Sequence, residues 1–317
     1  MSGFLLRRLG QSLVLLVLVS VVGFAILHLA PGGPLSQFAS GSDMTQEDLD
    51  RIAEQLGLNR PLPLQYAEWF GRMLTGDWGR SFRDGQPVLH VIGAHLGATI
   101  QLMLTATLLA ILLGVAIGTL GALRRHSAFD TLATVGAMVA LSIPTFWFGL
   151  VAIYVFSVWL GWLPSGNRET VGGEGGLLDL LRHLILPATV LALVETAIWS
   201  RFMRSSMLDV VNQDYIRTAR AKGLPEAQIL LRHAFRNAAL PMITVLGLQL
   251  PSLLGGALVT ETVFTWPGMG RLFLDSISYR DYPVVMGILM FSAAMVLLGS
   301  LLADLLHAVA DPRIRLG

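Results

Sequence analysis

The sequence contains no cysteine. Disulfides, thiolate nucleophiles and cysteine-ligated metals are therefore excluded. Lysine is nearly absent as well, with Lys222 standing alone against 21 arginines. That lysine lies in "RAKGL", so it cannot follow a phosphate-cradling glycine loop or serve a Ser–Lys dyad inside an apolar segment. Neither H-E-x-x-H nor G-x-S-x-G occurs, which removes the common zinc-hydrolase and serine-hydrolase signatures. The seven histidines are scattered, and the closest pair, His90 and His95, suits capping or interfacial positions better than a metal site. Charge is scarce, at 14% of residues against about 25% in soluble domains. The chain has no energy-converting chemistry of its own.

What it has in excess is apolar surface: 54% hydrophobic residues and a mean hydropathy of +0.64. Runs of about 20 apolar residues are long enough to cross the hydrocarbon of a bilayer. Six occur, near Leu9–Ala30, Thr99–Leu123, Thr131–Leu160, His183–Phe202, Ala238–Thr262 and Val284–Val309. They predict an all-α integral membrane protein with six transmembrane helices. The first run follows Arg7 and Arg8 as a secretory signal would, but its apolar core is too long and "HLAPGG" lacks the cleavage pattern. A retained anchor is the expectation.

The net charge of +1 matters less than where the charges fall. With both termini inside, 13 of the 22 basic residues lie in short segments beside helix ends, from Arg7 and Arg8 through Arg201, Arg204 and Arg232 to Arg313 and Arg315. The positive-inside rule places those segments in the cytoplasm. On the outer side, Pro31–Leu96 is too long for a turn. "TQEDLDRIAEQLGL" predicts an amphipathic helix opened by a Thr45–Asp48 capping box and stopped by Gly57. "PLQYAEWFGRML" predicts a second, and the pair reads as a cap packed on the first membrane helix.

Within the apolar runs, Pro144 in "SIPTFWFG" predicts a kink. Pro251 followed by Gly255 and Gly256 predicts close backbone approach. Glu195 and Asp304 are the ionisable groups inside spans. Such groups are costly in lipid and tend to be functional. Two separated acids make a poor proton relay, so an ion-coupled carrier or channel acting alone is the weaker alternative. Glu195 is expected to face a polar cavity or a neighbouring helix. Pro144, Glu195, Pro251, Gly255 and Gly256 are the candidate pathway or gate residues.

The most unusual stretch is "DYIRTARAKGLPEAQILLRHAFRN", 214–237. Asp214 to Lys222 predicts a short helix, Gly223 a stop, and Pro225 with Glu226 the first turn of a second helix. Leu231 and Phe235, like Leu230 and Ala234, repeat at i,i+4. A solvated loop has no need of that periodicity. Two short helices bent at a glycine, apolar on one face and basic on the other, predict a docking element for a cytoplasmic protein.

"RTARAKG", followed 18 residues after Gly223 by the proline of "HAFRNAALP", resembles the ATPase-coupling signature of ABC importer permeases. "LGLNRPLPLQY", "GDWGRSF", "SIPTFWFGL", "LGWLP", "HLILPA", "ETVFTWPGMGRL", "RDYPV" and "DPRIR" extend the resemblance over nearly the whole chain, to the dipeptide/oligopeptide/nickel permease family. Arg217, Thr218 and Ala219 stand where Glu-Ala-Ala stands in the general pattern, so no glutamate contact is carried over.

The resemblance implies the type I ABC importer fold in a bacterial cytoplasmic membrane. It divides the chain into an anchor (1–30), an outer loop (31–96), a transmembrane core (97–309) containing a coupling region (203–238), and a tail (310–317). It implies a second homologous permease forming a heterodimer, two ABC ATPases that bind ATP and Mg, an extracytoplasmic solute-binding protein, and surrounding lipid. No cofactor bound by this chain and no nucleic acid are implied. Cargo would be di- or oligopeptides, with nickel, metal chelates or glutathione as the alternative. The ATPase-coupling residues would be Asp214, Tyr215, Arg217, Thr218, Ala219, Arg220, Lys222, Gly223, Leu224, His233, Arg236, Asn237 and Pro241. Ala219 and Gly223 would permit close backbone approach in an ATPase groove, and Arg217, Arg220 and Lys222 would bond to acidic or carbonyl partners.

Overall fold

The computed structural model describes residues 2–29, 35, 45–173, 175–255 and 257–310. Gly256, Arg313 and Arg315 fall outside them. The described residues are nearly all helical: α1 (Ser2–Leu29), α2 (Gln46–Gln55), α3 (Leu62–Leu74), α4 (Val88–Leu123), α5 (Ala128–Ser142), α6 (Thr145–Ala152), α7 (Leu177–Val211), α8 (Asp214–Ala221), α9 (Glu226–Gln228), α10 (Arg236–Ala238), α11 (Leu240–Gly255), α12 (Leu258–Val263), α13 (Met269–Ser278) and α14 (Tyr282–Ala310). Pi-helical turns continue α6 through Ile153–Trp159 and join α9 to α10 through Ile229–Phe235.

Six continuous spans are not seen among the described residues. Among the described residues four helices are long and apolar enough to cross a membrane: α1, α4, α7 and α14. A fifth exists if α5 and α6 are counted as one span, but they meet at 102°. The break is at Pro144, which has no N–H to extend α5 and instead caps α6. The run expected over 238–262 ends as a helix at Gly255 and resumes only for the six residues of α12. At 1.5 Å per residue, α11 reaches about 24 Å, less than a full hydrocarbon crossing.

Helices α4 and α7 form the centre and run parallel. Ala98, Leu102 and Ala106 pack with Leu184 and Ala188 toward their N-terminal ends. Further along, the helices approach at glycines. A Cβ on Gly114 would lie 2.4 Å from the Trp199 Cβ, and one on Gly118 2.5 Å from the Ser200 carbonyl oxygen. Lipid gives apolar side chains no reason to leave it, so small residues that allow backbone contact hold such helices together. The 114–118 spacing is a legible G-x-x-x-G signal. Helices α11 and α14 pair beside this core, and α1 lies against α14 in the opposite direction, with Arg8 2.9 Å from Asp304.

One end of the bundle is covered. The predicted capping box closes α2 from both sides, since the Thr45 hydroxyl accepts from the Asp48 N–H and the Asp48 carboxylate accepts from the Thr45 N–H. Gly57 follows α2 with φ +70°. Helix α3 packs on α1 as expected: the Tyr66 and Ser20 hydroxyls are 2.8 Å apart, and the Phe24 ring meets Tyr66 and Trp69. Several of the quoted motifs meet here. Ser81 of "GDWGRSF" donates at 2.5 Å to Asp281 of "RDYPV", which also accepts the Phe82 N–H.

Glu261 of "ETVFTWPGMGRL" is fully buried. Its carboxylate accepts from the Thr99 hydroxyl at 2.7 Å and from the Gly270 and Arg271 N–H groups at 2.7 and 3.1 Å. The carboxyl oxygens therefore sit on the unsatisfied N–H groups at the start of α13, where the helix dipole favours an acceptor. Thr99 completes the knot by accepting the Met269 N–H, and the Trp266 indole donates to the Ala98 carbonyl. Glu261→Gln would turn an amide donor against these N–H groups or the Thr99 hydroxyl. A loss of about 1–3 kcal/mol is expected from the unsatisfied donors, read as a lower thermal midpoint in detergent.

Candidate functional site: an arginine-rich docking element

At the end opposite the cap, α7 turns at Asn212 and Gln213 into α8. Gly223 has φ +73°, a left-handed conformation that glycine adopts without a Cβ penalty. The chain then rises through Pro225 into the helical run 226–238, so the predicted helix–glycine–helix element is present.

Its inner face is continuous with the protein core. Ile216, Ala219, Ile229, Ala234 and Ala238 are buried with Met203 and Met207 of α7, and Leu224, Leu230 and Phe235 pack against them. Ala219 is thus turned into this chain, and its small side chain serves internal packing instead of opening a groove to a partner. The outer face carries Asp214, Tyr215, Arg217, Thr218, Arg220, Lys222, Gly223, Arg236, Asn237 and Pro241, all exposed; His233 is half-buried. A Cβ at Gly223 would meet nothing within 4 Å, so the space over the bend is open within the chain.

The charges are partly committed. Arg220 grips Glu226 with two hydrogen bonds, at 2.8 and 3.3 Å, bracing α8 to α9 across the bend. That hydrogen-bonded guanidinium, with its positive charge, holds the Glu226 carboxyl below its ordinary range and raises Arg220 in turn. Both groups are exposed, so the brace contributes orientation more than stability. Arg217 reaches Asp214 only at 3.5 Å and is largely exposed. Arg217 and Lys222 are therefore the cations of the 217–222 segment best placed for an external partner, while Arg220 is occupied within the chain.

The gate candidates lie on separate elements. Pro144 is at the α5–α6 bend, Pro251 and Gly255 are in α11, and Glu195 on α7 accepts the Thr107 hydroxyl of α4 at 2.9 Å. Glu195 thus meets a neighbouring helix, as expected. The contact that motif reading passed over is Asp130–Arg204, which joins α5 to α7 above the docking element.

Residues 110–316 match the model of the binding-protein-dependent transport system inner membrane component, and residues 1–103 match the N-terminal domain of the same kind of protein. The chain belongs to this family. It is a membrane permease component and not an enzyme. The permease is 46% identical to the oligopeptide transport system permease protein AppB of Bacillus subtilis, over 99% of both chains. It is 38% identical to the dipeptide transport system permease protein DppB of Escherichia coli, again over 99% of both. Among solved structures, an inward-facing MetNI methionine ABC transporter chain superposes with a TM-score of 0.55, covering 70% of the permease and 96% of that chain at 16% identity. That likeness concerns the fold. The permease thus acts in a binding-protein-dependent importer, a system whose other parts include ATPases and a binding protein.

Proposed function

We propose that the permease is one of two related membrane subunits of an ATP-driven importer that moves di- and oligopeptides into the cytoplasm. Two ATPase subunits would bind ATP and Mg, and a solute-binding protein would deliver cargo at the capped face. Both termini would be cytoplasmic, in keeping with the arginines near them and around 214–237.

The observation that carries this reading is the docking element. Its apolar face is buried in the core with Met203 and Met207, so a push on its exposed face would carry α7 with it. A loosely attached loop would absorb the same push. ATP binding would close the ATPases, carry this element with them and open the pathway toward the binding protein. Hydrolysis would reset it. The peptide cargo is supported by the names of full-length relatives.

Membranes holding the whole complex provide the test. The ATPases are expected to co-purify with the permease, and uptake of labelled trialanine is expected to require ATP and to be competed by short peptides but not by nickel or glutathione. Uptake that persists without the ATPases would overturn the importer reading; competition by nickel or glutathione alone would overturn the cargo.

A further inference from the structure

Helix α5 is poorly anchored. Of its fifteen residues only Asp130 and Ala137 are buried, and Leu132, Val135, Met138, Val139 and Leu141 are exposed. Yet α5 leads into the 102° bend at Pro144, and α6 beyond it reaches the covered end, where a Cβ on Gly149 would lie 3.2 Å from the Phe264 ring. The α5–α6 hairpin therefore connects the two ends of the molecule, with a close contact at each.

At the arginine-rich end the hold is specific. Arg204 Nε and Nη2 donate to Asp130 Oδ1 and Oδ2 at 2.6 and 2.8 Å. The His126 N–H donates to Oδ2 at 3.0 Å, and the Asp130 N–H is capped by the Ser127 hydroxyl. Gly121 of α4 supplies the room, since a Cβ there would lie 3.3 Å from Oδ1 and 3.7 Å from the Arg204 Cδ. A two-pronged guanidinium–carboxylate pair constrains orientation as well as distance, which apolar contacts do not. Arg204 also directly follows Met203, which is buried in the same cluster as Ile216, Ala219 and Ile229 of the docking element.

We infer that Asp130–Arg204 is the joint through which displacement of the docking element is delivered to the α5–α6 hairpin. It is a positioning pair that touches neither cargo nor nucleotide. Without the fork, α7 would still follow the ATPases, but α5 would lose its oriented tie to α7 and the hairpin would lag. The inference rests on the coupling role proposed for 214–237.

The test uses the complete reconstituted complex with its binding protein and trialanine as probe cargo. Trialanine uptake and ATP hydrolysis are measured together and expressed as uptake per ATP, a ratio that reduced yield does not alter. In Asp130→Asn and in Arg204→Lys, which keeps the charge but loses the fork, the ratio is expected to fall roughly ten-fold, within the range by which single changes alter coupling between sites. The double variant is expected to fall little further, because both changes break one link. Gly121→Ala leaves both charges in place and presses on the pair. It keeps the test open should the other variants fail to assemble, and a lowered ratio is expected there too. An unchanged ratio in assembled variants, including a proportional loss of uptake and hydrolysis, would overturn the inference. Gly223→Trp run alongside separates the two readings. Normal cargo-stimulated hydrolysis and uptake in that variant count against the coupling role, whereas their loss there with normal Asp130 and Arg204 variants counts against the joint alone.

Discussion

Gly114→Leu and Gly118→Val should abolish accumulation of the permease in the membrane. At Gly114 the new Cβ would stand 2.4 Å from the Trp199 Cβ and 3.1 Å from the Ser200 nitrogen and Thr196 oxygen. At Gly118 it would meet the Ser200 oxygen at 2.5 Å, the Met203 Cβ at 2.8 Å and the Arg204 nitrogen at 3.0 Å. Most of these atoms are backbone, which cannot rotate aside as a flexible side chain would. The helices would have to part along their most extensive contact, at a cost of roughly 3 kcal/mol or more for overpacking of this kind. Gly93 and Gly97 lie on the same helix with nothing within 4 Å of an added Cβ. Gly93→Ala and Gly97→Ala should therefore leave accumulation unchanged. Immunoblots of membrane fractions and melting in detergent measure both halves of the comparison, and normal levels of Gly118→Val would refute the packing argument.

The second large effect should separate folding from function. Gly223→Trp is expected to fold and insert, because, its neighbours in the chain aside, nothing lies within 4 Å of the added Cβ. It is nevertheless expected to lose cargo-stimulated ATP hydrolysis and peptide uptake, since an indole would occupy the space that the proposed coupling role assigns to the ATPase. The left-handed φ of +73° imposes about 1–2 kcal/mol of strain on any L-residue. Gly223→Ala carries that strain without the bulk, so it should retain most of the activity. If the tryptophan variant hydrolysed ATP normally in response to loaded binding protein, the bend would not be the contact. If the alanine variant were as inactive as the tryptophan variant, backbone strain and not bulk would explain both.

Features written into adjacent residues were readable without the fold. Thr45 and Asp48 sit three apart, and they cap α2 from both sides. Pro144 lacks the N–H that a continuing helix requires, and the run breaks there. Gly223 follows a short amphipathic run, and α8 stops before it. Each depends on dihedral preferences and hydrogen bonds within one or two turns, which local order alone dictates. The run at 238–262 shows the complementary limit. Apolar length reports a preference for lipid, but not whether the backbone remains one helix through it.

The partnerships belong to the tertiary structure. Thr99 meets Glu261 across 162 positions, Ser81 meets Asp281 across 200, and Arg204 meets Asp130 across 74. Composition marked all of these residues as polar and none as a pair. Ala219 shows the same limit: as a small residue beside a basic face it suited an external groove, yet the rotation of α8 on Met203 and Met207 turned it inward. From its own order of residues this protein takes its membrane class, its basic helix–glycine–helix element and its breaks, because those follow from hydrophobicity and local backbone freedom. Which buried acid answers which donor, and which face of each helix a partner can reach, depends on the register in which α4 and α7 close over their glycines. That register is a property of two surfaces in contact.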